Sequence, residues 1–281
     1  MPIRRFIQTD VFSSDPTLGN GLAVVVDGDD LTTEQMQAFA AWTNLAETTF
    51  LLPPTDPDAD YRVRIFTTRR EMHFAGHPTL GSCMAWLHAG NVPKKPEVVR
   101  QECAIGIVDI DLSGPTPAFV SPPTEVSAMS EAEQTRLITA MGINRSMVKS
   151  AIVLDNGPVW NLFELNSAAD VLAVDATRVV WPEHQGLALF GAYPEGSECQ
   201  FETRNIAPSS GMVEDPITGS LNAAIACWLL QTNRLPDAAV AAQGTNLGRT
   251  GRVFYRQSPN YPGKVLIGGA VNVLIDGTLD L

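Results

Sequence analysis

Two short stretches of the chain share one pattern: HPTLGS at His77–Ser82 and DPITGS at Asp215–Ser220. Each runs from a polar residue through Pro and two intervening residues to Gly–Ser, and small and apolar residues follow. Gly81 and Gly219 permit close backbone approach, and the Pro of each stretch fixes the entry to a helix. Ser82 and Ser220 are then predicted in the first turn of their helices. There the unpaired backbone N–H groups and the positive end of the helix dipole point outward. Two such ends facing one ligand would grip a small anion, most simply a carboxylate. His77 and Asp215, which lead the two turns, can donate and accept hydrogen bonds around it. Either stretch alone reads as an ordinary Pro–Gly turn with a serine cap; the matched pair points to a site.

The elements that must position these turns are mostly strands. Alternating runs in the first half are RRFIQTDVF, LAVVVD, YRVRIF and AIGIVDIDL. The second half offers SAIVLD, VWNLFEL, GLALFGAY, CQFETRNIA, RVFYRQ, KVLIGG and VNVLID. Capping-box patterns predict helices from Thr32 to about Trp42 and from Ser130 to Met141. Two more helices are predicted behind the repeated turns, at about Thr79–His88 and Gly219–Gln231. Their segments MAWLHA and AAIACWLL lack a charged face, as a helix buried on all sides does. The stretch LSGPTPAFVSPPTEVSAMS, near residues 113–130, holds the prolines of a linker and divides the chain into comparable halves. The fold class expected is α+β, with a sheet curled around a central helix once per half.

The chain has 281 residues, 44% of them hydrophobic and 18% charged, which suits one large globular domain or two ordinary ones. A net charge of −12 argues against nucleic acid or an anionic membrane surface as partner. A small anionic ligand is still compatible, because local backbone dipoles outweigh a distant net charge. No apolar run reaches the length of a membrane span, and the opening residues show no secretory h-region. Cys83, Cys103, Cys199 and Cys227 show no CxxC spacing. Neither a metal site nor a disulfide framework is expected, and a cytoplasmic setting follows.

Several motifs together resemble the PhzF-like phenazine-biosynthesis isomerase family. They are GNGLAVVVDG (Gly19–Gly28), NLAETTFLL (Asn44–Leu52), RIFTTRRE (Arg64–Glu71), FAGHPTLG (Phe74–Gly81), LDNGP (Leu154–Pro158), EDPITGSLNAA (Glu214–Ala224) and QGTNLGRTGRV (Gln243–Val253). The likeness spans nearly the whole chain in the same order. It implies two pseudo-symmetric domains of the diaminopimelate epimerase kind, each a mixed β-sheet or barrel wrapped around a central helix, with the active site in the cleft between them. The halves expected are residues 1–115 and 130–265, with the last strands, residues 268–281, returning to the first domain. A homodimer is also implied.

The resemblance assigns Glu47 as the general acid/base that moves a proton between carbons of the substrate. A carboxylate in apolar surroundings has its charged form disfavoured and becomes a better base. His77 and Asp215 match residues that hold the substrate's polar groups and steer protons. Gly76, Gly219 and Ser220 are expected to bind the substrate, with Ser82 as the counterpart of Ser220 and with Gln243 and Gly244 in a recurring segment near the cleft. The chain departs from the family pattern at His73 and at Gly21, where Pro is common. His73 reads as structural, and Arg69 and Arg70 as solvated.

The implied activity is a cofactor-independent isomerisation that shifts a proton within a small unsaturated or cyclic carboxylate, similar to a dihydro-hydroxyanthranilate. No metal and no nucleotide cofactor are expected, since no phosphate loop or ligand cluster is readable. Epimerases of the same fold use one thiol from each half. Here the matching positions hold Gly76–His77 and Asp215, while Cys83 and Cys227 lie in apolar helical runs as small hydrophobes. Two alternatives stand: an epimerase or racemase with non-thiol acid/base groups, and a non-catalytic binding homologue.

Overall fold

The computed structural model describes residues 2–179, 186–206 and 212–281. The chain opens with β1 (Ile3–Val11), β2 (Asn20–Val25), α1 (Thr33–Thr43), β3 (Glu47–Leu52), β4 (Tyr61–Thr67) and β5 (Glu71–Met72). It continues through α2 (Gly76–His88), β6 (Val98–Cys103), β7 (Gly106–Asp111) and β8 (Ala118–Val120). Then come β9 (Glu125–Ala128), α3 (Glu131–Met141), β10 (Val148–Asp155), β11 (Val159–Leu165), α4 (Ala168–Ala173), β12 (Leu187–Ala192), β13 (Phe201–Ile206) and β14 (Glu214–Asp215). The last elements are α5 (Gly219–Gln231), β15 (Ala238–Gln243), β16 (Gly251–Gln257), β17 (Val265–Gly268) and β18 (Val271–Asp280). Two compact units result: Met1–Val120 with Gly268–Leu281, and Ser121–Ile267. Ala207, the end of the strand expected at CQFETRNIA, lies outside the described residues.

In the first unit, β18, β1 and β2 pair antiparallel, β2 and β3 run parallel, β3 and β4 antiparallel, β4 and β6 parallel, and β6, β7 and β8 antiparallel. The short β5 adds antiparallel to β4. This mixed sheet wraps α2, which packs against β1, β2, β3, β6, β8 and β18. The period of two along β3 sorts its side chains between two helices. Phe50 and Leu52 join Met36 and Ala40 of α1 in an apolar cluster. Thr49 faces the other way and accepts a hydrogen bond from Ser82 of α2 at 2.9 Å. Glu47 shares the parity of Thr49.

The second unit repeats this order. β10–β11 is antiparallel, β11–β12 parallel, β12–β13 antiparallel, β13–β15 parallel and β15–β16 antiparallel, with the short β14 added to β13. The central helix is α5, buried along nearly its whole length. Alternation recurs on β13. Thr203 and Asn205 meet residues of α5 and its cap, whereas Arg204 points to the carbonyls of Val171 and Val174 at α4.

The duplicated topology corrects the register suggested by the two sequence stretches. β5 ends at Met72 and α2 opens at Gly76; β14 ends at Asp215 and α5 opens at Gly219. Met72 stands opposite Ile65 on β4, and Asp215 opposite Asn205 on β13. Gly76 therefore corresponds to Gly219, His77 to Ser220 and Met72 to Asp215. Proline misleads because both placements tolerate it. Pro78 lies in the first turn of α2, where N–H groups have no intrahelical partner, and Pro216 precedes the cap of α5. Ser82, expected in a first turn, sits a full turn deeper. Gly81 likewise serves packing: a Cβ there would come within 2.6 Å of Leu22 Cδ2 and 2.7 Å of Thr9 Oγ1.

Candidate active site

Glu47 is delivered by the end of α1. Thr32 and Gln35 close a reciprocal capping box at its start, and Asn44 ends it in the left-handed conformation with φ 55°. That turn sends the chain through Leu45 and Ala46 into β3, whose first residue is Glu47. It stands opposite Leu22 of β2 and Thr67 of β4, inside the sheet rather than at an edge. Parity aims its side chain to the α2 side. There Oε2 lies 3.4 Å from Nε2 of His77, with only 15% of the Glu47 side chain exposed.

His77 is the second residue of α2, after the N-cap Ala75, which contributes no side-chain cap. Its ring is buried, and burial lowers its pKa to about 3, so the imidazole is neutral at neutral pH. The Glu47–His77 approach is accordingly that of a carboxyl group and a neutral ring, longer than a well-formed hydrogen bond. On the other ring face Nδ1 lies 3.4 Å from Nδ2 of Asn20, the first residue of β2. Sequence reasoning missed Asn20; its only signal was the segment GNGLAVVVDG.

In the second unit Asp215 is 7% exposed and ends β14. Its neighbour Glu214 pins that strand through a two-pronged ion pair with Arg204, Nε–Oε1 2.9 Å and Nη2–Oε2 2.7 Å. The carboxylate of Asp215 accepts a hydrogen bond from the hydroxyl of Thr218. Thr218 is the N-cap of α5, yet its side chain makes no capping bond to the helix. Gly219 and Ser220 then form the first turn, and the Ser220 carbonyl accepts from Asn156 Nδ2 at 2.8 Å.

The remaining expected residues divide. Gly76 opens α2 beside His77. Ser82 is fully buried and spends its hydroxyl on Thr49. Gln243 is fully buried, and both ends of its amide are engaged inside the unit. Gly244 has φ 85°, and a Cβ there would lie 2.7 Å from the Pro216 carbonyl, so glycine is required by the backbone. His73, Arg69 and Arg70 are exposed. All four cysteines are buried thiols, with Cys83 raised well above the usual thiol range by burial.

Comparison with known proteins bears on this arrangement. The model of the phenazine biosynthesis-like protein family, PhzC-PhzF, matches residues 9–277. A Schizosaccharomyces pombe protein named antisense-enhancing sequence 1 is 35% identical over 290 residues, covering 97% of each chain. Trans-2,3-dihydro-3-hydroxyanthranilate isomerase of Pseudomonas aeruginosa is 32% identical over 272 residues, covering 90% of each. The crystal structure of a Bacillus anthracis phenazine biosynthesis protein of the PhzF family is similar in fold, with a TM-score of 0.82 at 18% identity over the whole of both chains.

Proposed function

Because the chain belongs to the phenazine biosynthesis-like family and is an isomerase of that type, we propose that it shifts a proton within a small unsaturated or cyclic carboxylate, with Glu47 as acid and base. The observation that carries this reading is the approach of Glu47 to a buried, neutral His77 at 3.4 Å. Glu47 takes a proton from an acidic carbon, the electron pair delocalises through the adjacent unsaturation, and the protonated Glu47 returns the proton to another carbon. Nothing is oxidised or reduced, so the step needs no redox cofactor. The neutral ring of His77 accepts or donates a hydrogen bond without carrying a charge that would hold Glu47 ionised. Asp215 binds a polar group of the substrate, and the first turn of α5 at Gly219 and Ser220 takes its carboxylate. The 32% identity to a trans-2,3-dihydro-3-hydroxyanthranilate isomerase makes that kind of cyclic carboxylate the first substrate to try.

The test is Glu47→Gln with such a substrate in deuterated water. Wild type incorporates deuterium at the receiving carbon. The amide keeps the shape but cannot carry the proton, and loss of an acid/base costs about 10²–10⁴-fold in rate. Exchange by the variant at the wild-type rate rejects the assignment.

A further inference from the structure

We infer that Thr218 is a positioning residue that holds the Asp215 carboxylate oriented and ionised, with Gln243 and Asn205 fixing the direction of its hydroxyl proton. The inference rests on the role proposed for Asp215. It is carried by an accounting of donors and acceptors in a cluster of buried groups on β13, β14, β15 and α5.

The backbone fixes the polarity, because a backbone N–H only donates and a carbonyl only accepts. The Thr218 N–H donates to one end of the Gln243 amide at 3.0 Å, so that end is Oε1. The other end, Nε2, faces the Asp215 carbonyl at 3.3 Å and Thr218 Oγ1 at 3.1 Å. Asn222 is fixed the same way. Its Nδ2 donates to the Thr218 carbonyl at 2.9 Å and to Gln243 Oε1 at 2.8 Å, while its Oδ1 accepts from the Tyr255 hydroxyl. Gln243 thus presents a donor to Thr218 and cannot turn without losing two backbone bonds.

A threonine hydroxyl has one proton and two lone pairs. Gln243 Nε2 fills one lone pair and Asn205 Nδ2, at 3.1 Å, fills the other. The proton has one direction left, toward Asp215 Oδ2, where the structure places the contact. Hydrogen bonding of this sense favours the ionised carboxylate. The same count explains why the cap of α5 makes no capping bond: a cap must accept from a backbone N–H, and both lone pairs are taken by Gln243 and Asn205. A proton on Asp215 Oδ2 directed at Thr218 would force that hydroxyl to reverse against the donors of Gln243 and Asn205. Gln243, expected to bind substrate, acts through Thr218 in this arrangement.

The experiment follows the Asp215 carboxyl carbon by NMR in protein labelled at aspartate, with Asp215→Asn giving the assignment. Thr218→Val keeps the shape, removes the donor and raises the titration midpoint by about one pH unit, while Thr218→Ser restores it. Thr218→Ala is a second variant that removes the same donor and adds no charge. It moves the midpoint the same way. The other charged or titratable groups on the surrounding elements include Glu202, Arg204, Glu214, Cys227, Arg252, Tyr255, Arg256 and, on α4, Asp170. They are unchanged in every variant, so the difference reports the Thr218 contact. A wild-type midpoint in Thr218→Val overturns the inference; where thermal melting shows that variant unfolded, a wild-type midpoint in Thr218→Ala overturns it. No substrate is used. Unmoved titration with exchange lost in Glu47→Gln rejects the role of Thr218 alone. A moved midpoint with exchange retained in Glu47→Gln rejects the proposed function alone.

Discussion

His77 lies 3.4 Å from Glu47, burial lowers its pKa to about 3, and that burial makes the stability of the protein depend on pH. Between pH 3 and 6.5 the unfolded chain binds a proton at this residue and the folded chain does not. Stability from His77 is complete above pH 6.5 and is lost as pH falls toward 3. From pH 7 to pH 5 the loss is about 2 kcal/mol. His77→Gln removes that part of the slope, and urea unfolding of wild type and variant at the two pH values checks it. The same burial predicts that no inflection near pH 6.5 in kcat/KM belongs to His77. The thiols, all buried, are expected to leave turnover intact under iodoacetamide. Inactivation that substrate prevents, traced to one cysteine, would restore two-thiol chemistry.

At the scale of elements, the two central helices start from one plan and are used differently. Both open with glycine after a two-residue strand. The next residue is His77 in α2 and Ser220 in α5. The first residue of the parallel strand beside each helix is Glu47 in one unit and Leu187 in the other. One copy carries the carboxyl and imidazole proposed to act on protons, and the other has hydroxyls, amides and Asp215. Gly81 belongs to the packing of α2 on β1 and β2. Gly81→Ala forces Leu22, Val11 and Thr9 aside and costs about 1–3 kcal/mol, read as a lowered Tm. Its KM stays near wild type once folded protein is compared, because the substitution touches neither helix start. A rise in KM without a fall in Tm would return Gly81 to the substrate.

For the whole molecule, duplication shows in the sequence of strand senses, which the two units share step for step. The first unit is closed by β18, which arrives from the far end of the chain and pairs with β1 along Ile3–Val11. Truncation before β18 strips β1 of that partner and removes Leu279 and Leu281, which pack against the apolar cluster of Met36, Phe50 and Phe66. Residues 1–270 are expected to lose the fold of the first unit, measured as lost hydrogen-exchange protection in β1 and α2. The second unit contains no part of β18, and its protection persists. Among the described residues, no helix is long and apolar enough to cross a membrane.

The sequence by itself determined the local pieces. Thr32 and Ser130 marked helix starts because a side-chain oxygen three residues before a free N–H needs no tertiary partner. Apolar runs without a charged face marked α2 and α5 as buried, since a helix with no polar side has nowhere else to go. Motif likeness picked out Glu47, His77 and Asp215. Where the helices begin was decided by the fold: His77 entered the first turn of α2, and Ser82 moved into the packed interior, because β5 and β14 set the starting point by pairing with strands. Strands of two to four residues leave too weak a period to read, so β5, β8, β9 and β14 were invisible beforehand. The partners Asn20, Asn205, Thr218 and Asn222 were equally hidden. Asparagine and threonine have the same local preferences in a loop as in a hydrogen-bonded cluster. Only the pairing of β13 with β14 and β15 brings the amides of Asn205 and Gln243 to 3.1 Å from Thr218 Oγ1.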